Sequence, residues 1–168
     1  MKTNAKVILL CGKIAAGKTF YANRLRTESG RPTVILSCDE IMLAVFPDGT
    51  GEMHDTYSLR VREYLFRKSP EILETGCDVI LDWGFWRKSD RDAARSFYRE
   101  RGIPVELHVV DTPDELWKKN IGRRNRAVAE GTVSAYFVDE GLLNKLNGLF
   151  EPPCADEVDV WYKNTEIQ

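Results

Sequence analysis

The residues Gly12-Lys13-Ile14-Ala15-Ala16-Gly17-Lys18-Thr19 match the pattern G-x-x-x-x-G-K-[ST] and directly follow the apolar run Val7-Ile8-Leu9-Leu10-Cys11. A triphosphate is a dense anion that backbone N–H groups surround only where the chain curls tightly, and glycine permits that curl. In this pattern the lysine reaches the phosphates, the hydroxyl binds Mg²⁺ and the next helix directs its positive N-terminus at the anion. The stretch predicts a phosphate-binding loop for ATP or GTP, with nucleotide contacts from Gly12, Ala15, Ala16, Gly17, Lys18 and Thr19.

The sequence on both sides of the loop supports this interpretation. Residues 20–25 have apolar side chains at helical spacing, and Gly30 and Pro32 end that helix. The alternative is a glycine-rich turn that arises by chance. We favour the phosphate-binding loop because a strand, the full motif and a helix coincide within the first thirty residues.

Length and composition predict one globular domain over residues 1–168, because 168 residues with 43% hydrophobic content supply a single core. The net charge of −2 gives no overall attraction to nucleic acid or to an anionic membrane, although a local basic groove stays an alternative. No apolar segment is long enough to cross a bilayer. We expect a cytoplasmic protein without a nucleic-acid or membrane partner, and its oligomeric state stays open.

Apolar runs alternate with longer amphipathic stretches, which is the pattern of a parallel sheet covered by helices on both faces. We predict five strands, at 6–11, 33–37, 78–82, 105–110 and 158–162. Helices are predicted at 18–29, 39–46, 55–75, 89–101, 113–129 and 134–149. The expected fold is therefore a three-layer α/β sandwich with a five-stranded parallel sheet.

Three carboxylates follow predicted strands, at the sheet edge where such folds bind ligands. Asp39 is either the base that accepts the proton of an attacking hydroxyl or the N-cap of the next helix, and the sequence leaves both open. Asp82 ends a wholly apolar strand, so we favour a role near Mg²⁺ over a turn or a cap. Asp111 precedes a good helix start, for which we favour a capping role.

The segment at about 117–133 has the composition of a lid. Five of the nine residues from Lys118 to Arg126 are basic, and small residues follow. Phosphoryl transfer spreads negative charge over the phosphate oxygens, and an arginine that closes over them stabilises that charge. A basic helix face is commonly only solvated, and Glu115 and Glu130 partly balance this one. We nevertheless expect one or two of these arginines in the site.

Together these features resemble the small P-loop kinases that include chloramphenicol phosphotransferase, zeta toxins and the kinase domain of polynucleotide kinase. The chain is most similar to a bacterial group of that type described as AAA family ATPases. The resemblance covers nearly the whole chain and rests on Gly12 to Thr19, Asp39-Glu40, residues 78–86, Arg91, residues 105–108, Arg123-Arg124-Asn125 and residues 150–153. The phosphate-binding loop is specific for nucleotide binding, whereas the other segments are only typical of the family.

The resemblance implies a P-loop NTPase fold of the nucleoside-kinase type and assigns roles to several residues. Lys18 and the lid arginines Arg123 and Arg124 would contact the phosphates, Asp39 would be the base, and Thr19 and Asp82 would hold the metal. The adenine would lie near the lid helix and residues 150–153. Family lids often carry an arginine four residues before the Arg-Asn pair, where this chain has Asn120, and whether Lys119 substitutes stays open.

By the same resemblance, the acceptor lies between Asp39, the helix at 55–75 and the segment after Asp82. On that helix we favour Arg60 or Arg62 as acceptor contacts, although its apolar spacing also fits arginines that point into water. Phe85 and Trp86 are the candidates for a pocket wall.

A second set of arginines, Arg91, Arg95 and Arg99, recurs every fourth residue and therefore shares one helix face. These arginines could form a track for a polynucleotide backbone. Neighbouring acidic residues favour a solvated surface instead.

The sequence thus predicts an enzyme that moves the γ-phosphoryl group of ATP to a hydroxyl of a small molecule, with Mg²⁺ as cofactor. The absence of an Asn/Thr-Lys-x-Asp motif favours ATP over GTP. Two alternatives stay open: a polynucleotide 5′-hydroxyl kinase, and a nucleotide-binding regulatory protein without an acceptor site.

Overall fold

Runs rich in Val, Ile and Leu form five strands in the computed structural model, which describes residues 4–165. The strands are β1 at Val7–Cys11, β2 at Thr33–Ser37, β3 at Asp78–Gly84, β4 at Val105–Asp111 and β5 at Val160–Lys163. They pair in parallel in the order β2-β3-β1-β4-β5. The five-stranded parallel sheet predicted from the sequence is confirmed.

Six α-helices lie within residues 4–165 and connect the strands. They are α1 at Lys18–Glu28, α2 at Cys38–Val45, α3 at His54–Glu74, α4 at Lys88–Arg99, α5 at Asp114–Ala129 and α6 at Glu140–Leu149. Within residues 4–165, none of the helices combines the length and the apolar composition that crossing a bilayer requires.

Apolar side chains alternate between the two faces of the sheet. Val7 and Leu9 of β1 pack in a cluster with Tyr98 of α4, whereas Ile8 and Leu10 pack in a second cluster with Ala22 of α1. Successive side chains of a strand point to opposite faces, so one strand supplies both clusters. The helices therefore cover both faces of the sheet, and the three-layer α/β sandwich is confirmed.

Two elements begin two or more residues later than the sequence predicts. Helix α6 begins at Glu140 and not at residue 134, because the Asp139 side chain caps it by accepting a hydrogen bond from the Leu142 N–H at 2.7 Å. Strand β5 begins at Val160, where its pairing with His108 of β4 starts, and not at residue 158, because a 3₁₀ turn at Ala155–Glu157 and its C-cap Val158 come just before it. Local capping and turn contacts set both boundaries, and hydrophobic periodicity does not report them.

Arg91 is buried in the core of the protein, with 1% of its surface exposed. Its Nε and Nη2 atoms donate to the two carboxylate oxygens of Glu157, each at 3.0 Å. The Nη1 atom donates to the carbonyl oxygens of Phe85, Trp86 and Glu151, at 3.1, 3.1 and 3.0 Å. Arg91 thus ties α4 to the loop after β3 and to the segment before β5.

Arg95 is also buried, and its guanidinium contacts the Glu157 carbonyl and the Asp159 carboxylate. Arg99 is exposed. The expectation that these three arginines form a solvated surface was therefore wrong for Arg91 and Arg95. Acidic residues more than sixty positions later in the chain pair with them, and one helix's own sequence does not reveal such partners.

Candidate functional site

The loop between β1 and α1 has the backbone conformation that its glycines permit. Gly17 has a φ of 92° and Ala15 a φ of 56°, both in the left-handed region. At Gly12, a Cβ atom would lie 2.8 Å from the carbonyl oxygen of Val110, so a side chain there would collide with β4. The loop therefore fits closely against the carboxyl end of the sheet.

Side chains from four other parts of the fold hold the carbonyl groups of this loop. Trp86, which follows β3, donates from its indole to the Gly12 carbonyl at 2.9 Å, and Trp117 of α5 donates to the Ile14 carbonyl at 2.7 Å. The Ala15 carbonyl accepts a hydrogen bond from Asn120 at 3.5 Å. The Ala16 carbonyl accepts from Thr112 at 2.7 Å and from Asn164 at 3.2 Å. Because the carbonyls are held in this way, the loop and the start of α1 can turn their N–H groups toward an anion.

The sequence interpretation did not identify this anchoring role for Thr112, Trp117, Asn120 or Asn164. Asn120 was noticed only as a departure from the family pattern. The structure shows that Asn120 is buried against the loop, whereas Lys119 is exposed. The position at which family lids often carry an arginine therefore anchors the loop in this chain.

Lys18 lies within the curve of the loop. Its ammonium donates to the carbonyls of Gly12 at 3.2 Å and Lys13 at 2.7 Å. Burial lowers the pKa of Lys18, while the carboxylates of Asp82 and Asp39 act in the opposite direction. A lysine held in this position is placed to contact a phosphate group that enters the loop.

Thr19 and Asp82 place two hydrogen-bonded side-chain oxygen groups beside the loop. The Thr19 hydroxyl donates to the Asp82 carboxylate at 2.6 Å. Burial raises the pKa of Asp82, and Lys18 and the Thr19 hydrogen bond partly oppose that shift. Within residues 4–165, no group of three or more His, Cys, Asp or Glu side chains is arranged to hold a metal ion. A site with one carboxylate and one hydroxyl fits Mg²⁺, which proteins commonly bind through few side chains together with substrate phosphates.

Asp39 lies in the first turn of α2, but it is not the cap of that helix. Ser37 is the N-cap, and its hydroxyl accepts a hydrogen bond from the Glu40 N–H at 3.3 Å. The Asp39 charge acts on the pKa values of Lys18, Asp82 and Arg124. Its carboxylate therefore lies amid the predicted phosphate and metal ligands, and the capping alternative is wrong.

Arg124 of α5 is the predicted lid arginine that lies near Asp39. Its Nε donates to the Tyr136 carbonyl at 3.0 Å. Burial lowers the pKa of Arg124, and the nearby Asp39 carboxylate opposes that shift. The adjacent Asn125 binds both the N–H and the carbonyl of Val138. Residues 131–139 are thus fastened to α5 beside Asp39, whereas Arg123 is exposed.

A cavity of 790 Å³ opens beside Asp39 and is called the acceptor cavity here. Arg62, Phe85 and Trp86, which were predicted as acceptor contacts, line it together with Asp39. Arg60 is not among the lining residues; it is exposed, and its guanidinium lies 5.8 Å from the centre of the Tyr57 ring. Both arginines lie on α3, but only Arg62 lines the cavity.

A smaller cavity of 190 Å³ lies on the other side of the loop. It is lined by Lys13, Ala16 and Trp117 and by residues of the 150–153 segment, including Phe150 and Pro152. This is the region in which the resemblance places the adenine.

Asp111 has a different position from the one predicted. It is the last residue of β4, and the N-cap of α5 is Pro113, which makes no side-chain capping bond. The prediction that Asp111 caps this helix is not supported by the structure, because two residues separate it from the first residue of α5.

Replacement of Gly84 by alanine is expected to disturb the phosphate-binding loop, although Gly84 itself lies at the end of β3. Gly84 has a φ of 92°, and an added Cβ would lie 2.5 Å from the indole nitrogen that Trp86 donates to Gly12. We expect a loss of about 1–2 kcal/mol of stability from the backbone strain. Loss of the Trp86 hydrogen bond should also weaken ATP binding by about tenfold. Urea unfolding and calorimetric ATP titration measure the two effects.

Gly76→Ala is the matched control for this variant. Gly76 has a φ of 87°, but nothing lies within 4 Å of an added Cβ. The Gly76→Ala variant should therefore be less stable than the wild type but bind ATP with the same affinity. Equal ATP affinities in the two variants would show that Trp86 does not support the loop.

Comparisons with known proteins agree with this geometry. A search of curated proteins finds no sequence match. Among solved structures, the APS kinase CysC of Mycobacterium tuberculosis in complex with AMPPNP and APS is similar, with a TM-score of 0.64 at 18% identity. The alignment covers 98% of this chain and 91% of that one.

Two further structures have the same fold. A gluconokinase of Sinorhizobium meliloti 1021 has a TM-score of 0.64 at 14% identity and covers 98% of this chain and 85% of its own. Kti12 of Chaetomium thermophilum in complex with ADP-AlF3 has a TM-score of 0.68 at 18% identity, with 94% and 88% covered.

At these identities the likeness shows the fold, which is that of the small P-loop kinases, as the resemblance in sequence predicted. The model of the AAA domain family AAA_33 matches residues 7–153, from the first strand to the segment beyond α6. Because this match spans most of the chain, the protein belongs to the AAA_33 family of AAA domains.

Proposed function

We propose that this protein, as a single domain over residues 1–168, transfers the γ-phosphoryl group of ATP to a hydroxyl of a small molecule. The observation that carries the proposal is the position of Asp39. Its carboxylate lines the acceptor cavity and at the same time acts on the pKa values of Lys18 and Arg124. A carboxylate between a phosphate-binding loop and a large cavity is where phosphoryl transfer requires a base.

The residues on each side of Asp39 have complementary roles. The loop N–H groups and Lys18 would hold the phosphates, and Arg124 would stabilise the negative charge that spreads over the γ-phosphoryl oxygens. Thr19 and Asp82 would hold Mg²⁺, which neutralises phosphate charge when it is bound. The lid at about 117–133, which contains Arg124, would exclude water from the reacting groups.

In the transfer, the acceptor oxygen forms a bond to the γ-phosphorus as the bond to the oxygen that bridges the β- and γ-phosphates breaks. ADP leaves with that bridging oxygen, and the hydroxyl proton passes to Asp39. The adenine would bind in the smaller cavity between Trp117 and the 150–153 segment. The chain's lack of a guanine-recognition motif supports ATP as the donor.

The alternative of a polynucleotide 5′-hydroxyl kinase has less support than it had from the sequence alone. It relied on a basic face of α4, but Arg91 and Arg95 are buried in pairs with Glu157 and Asp159. A small-molecule acceptor is therefore the favoured partner.

The proposal is tested by measuring ADP formation from ATP and Mg²⁺ with a panel of acceptors that carry free hydroxyl groups. The panel contains nucleosides, sugars, aromatic alcohols and 5′-hydroxyl oligonucleotides. We expect one class of small molecule to raise ADP formation above the rate without acceptor. If ATP binds and no acceptor raises that rate, the protein is a nucleotide-binding protein without this activity.

A further inference from the structure

One wall of the acceptor cavity is aromatic. Trp83 and Phe85 stack with ring centres 5.3 Å apart and planes 28° apart. Phe66 packs edge-on against Trp83 at 5.3 Å and against Phe97 at 5.8 Å. Phe66, Trp83 and Phe97 are only half-buried, so ring surface stays within reach of a ligand. Such a wall offers stacking and edge-to-face contacts to a flat molecule.

Helix α6 supplies a second apolar wall. Leu142, Leu146 and Leu149 recur at helical spacing, and all three line the cavity. No residue of α6 is fully buried, and the Lys145 ammonium fastens the helix to Asp55 of α3 at 3.0 Å. The leucine face is therefore positioned beside the cavity while part of its surface stays uncovered. An apolar ligand would cover it.

The charges of the cavity do not form an anion site. Four carboxylates line it, from Asp39, Asp55, Glu63 and Asp90, against three cations, from Arg62, Arg87 and Lys145. Lys145 is already paired with Asp55, and the Arg62 Nε donates to the Ser58 carbonyl at 3.3 Å. Side chains that recognise a phosphate or sulfate group are commonly arginines or lysines whose charge is not already compensated. A phosphorylated or sulfated acceptor is therefore disfavoured.

We propose that the acceptor is an uncharged alcohol with a flat aromatic body, and that it is not a phosphorylated or sulfated metabolite. This inference rests on the proposed function, because it assigns the acceptor of the same site. The aromatic body would lie between the ring wall and the α6 leucines, with its hydroxyl directed at Asp39. At 790 Å³ the cavity is within the range of about 300–1,000 Å³ that holds drug-sized ligands.

Equilibrium binding tests the acceptor class without relying on turnover. Naphthylmethanol, benzyl alcohol, glucose and glucose phosphate are each titrated into the full chain with AMPPNP and Mg²⁺ present, and heat is recorded. We expect naphthylmethanol to bind at least about tenfold more tightly than glucose, because only the aromatic alcohol buries its surface against apolar walls. Equal or tighter binding of glucose or of glucose phosphate would overturn the proposal.

A pair of variants on α6 locates the binding. Leu146 lines the cavity, whereas Leu143 is on the same helix, equally half-buried and not among the lining residues. Leu146→Gln should weaken naphthylmethanol binding by about tenfold and leave ATP binding unchanged. Leu143→Gln should leave both unchanged. Equal effects of the two variants on naphthylmethanol binding would show that the alcohol binds elsewhere.

The two proposals fail in different ways. If naphthylmethanol binds through Leu146 but no acceptor raises ADP formation, the cavity binds aromatic alcohols as inferred and the phosphotransfer proposal is wrong. If a sugar is phosphorylated and naphthylmethanol does not bind, phosphotransfer stands and the aromatic acceptor is wrong.

Discussion

Replacement of Asp39 by asparagine is expected to lower acceptor-dependent ADP formation by about 10²–10⁴-fold, the usual contribution of a general base. Asparagine keeps the size of the side chain but cannot take up the hydroxyl proton. Because Ser37 and not Asp39 caps α2, the helix should keep its start. ATP affinity should change by less than about tenfold, since Lys18 and Arg124, the proposed phosphate ligands, are retained. Steady-state kinetics with the best acceptor and calorimetric ATP titration separate the two effects.

Asp48→Asn is the matched control. Asp48 is another exposed aspartate, in the turn after α2, and it lines neither the acceptor cavity nor the smaller cavity. This variant should retain the wild-type rate. If Asp39→Asn also retains it, Asp39 is not the base, and the nucleotide-binding regulatory alternative becomes the better account of the protein.

Replacement of Arg91 by methionine is expected to cost about 3–5 kcal/mol of unfolding free energy, because it leaves the Glu157 carboxylate without its charged partner. Burial acts to raise the pKa of Glu157, but the hydrogen bonds from Arg91 hold that pKa below its usual range. Methionine retains much of the apolar stem, so the loss reports the polar contacts more than the packing. Urea unfolding followed by tryptophan fluorescence measures it.

Arg99→Met on the same helix is the comparison. Arg99 is exposed, and its replacement should change the unfolding free energy by no more than about 0.5 kcal/mol. Equal stabilities of the two variants would contradict the anchoring role of Arg91. Since Arg91 also holds the Trp86 carbonyl, its loss should weaken ATP binding through the loop that Trp86 supports.

Arg91 and Trp86 together show how the phosphate-binding loop depends on distant parts of the chain. Arg91 binds the carbonyls of Phe85 and Trp86, and the Trp86 indole in turn binds Gly12. The same Phe85 and Trp86 line the acceptor cavity. Trp86 is therefore shared by the cavity and the phosphate-binding loop.

Local patterns in the sequence were sufficient to predict the sheet, the order of the elements along the chain and the phosphate-binding loop. Each of these depends on residues that are close in sequence. Apolar runs form strands, helical spacing forms helices, and Gly12 and Gly17 permit the conformation of the loop. The positions of Asp39 and Asp82 also followed from the rule that ligands lie beyond the ends of parallel strands.

Other features required the folded chain, because they join residues that are far apart in sequence. Arg91 donates hydrogen bonds to Glu157, which is sixty-six residues later in the chain, and Asn164 donates to Ala16, which is one hundred and forty-eight residues earlier. Likewise, only the rotation of α3 in the fold decides that Arg62 lines the cavity and Arg60 does not. A residue's own neighbours in sequence set its backbone conformation, but the environment of a side chain depends on which distant segments pack against it.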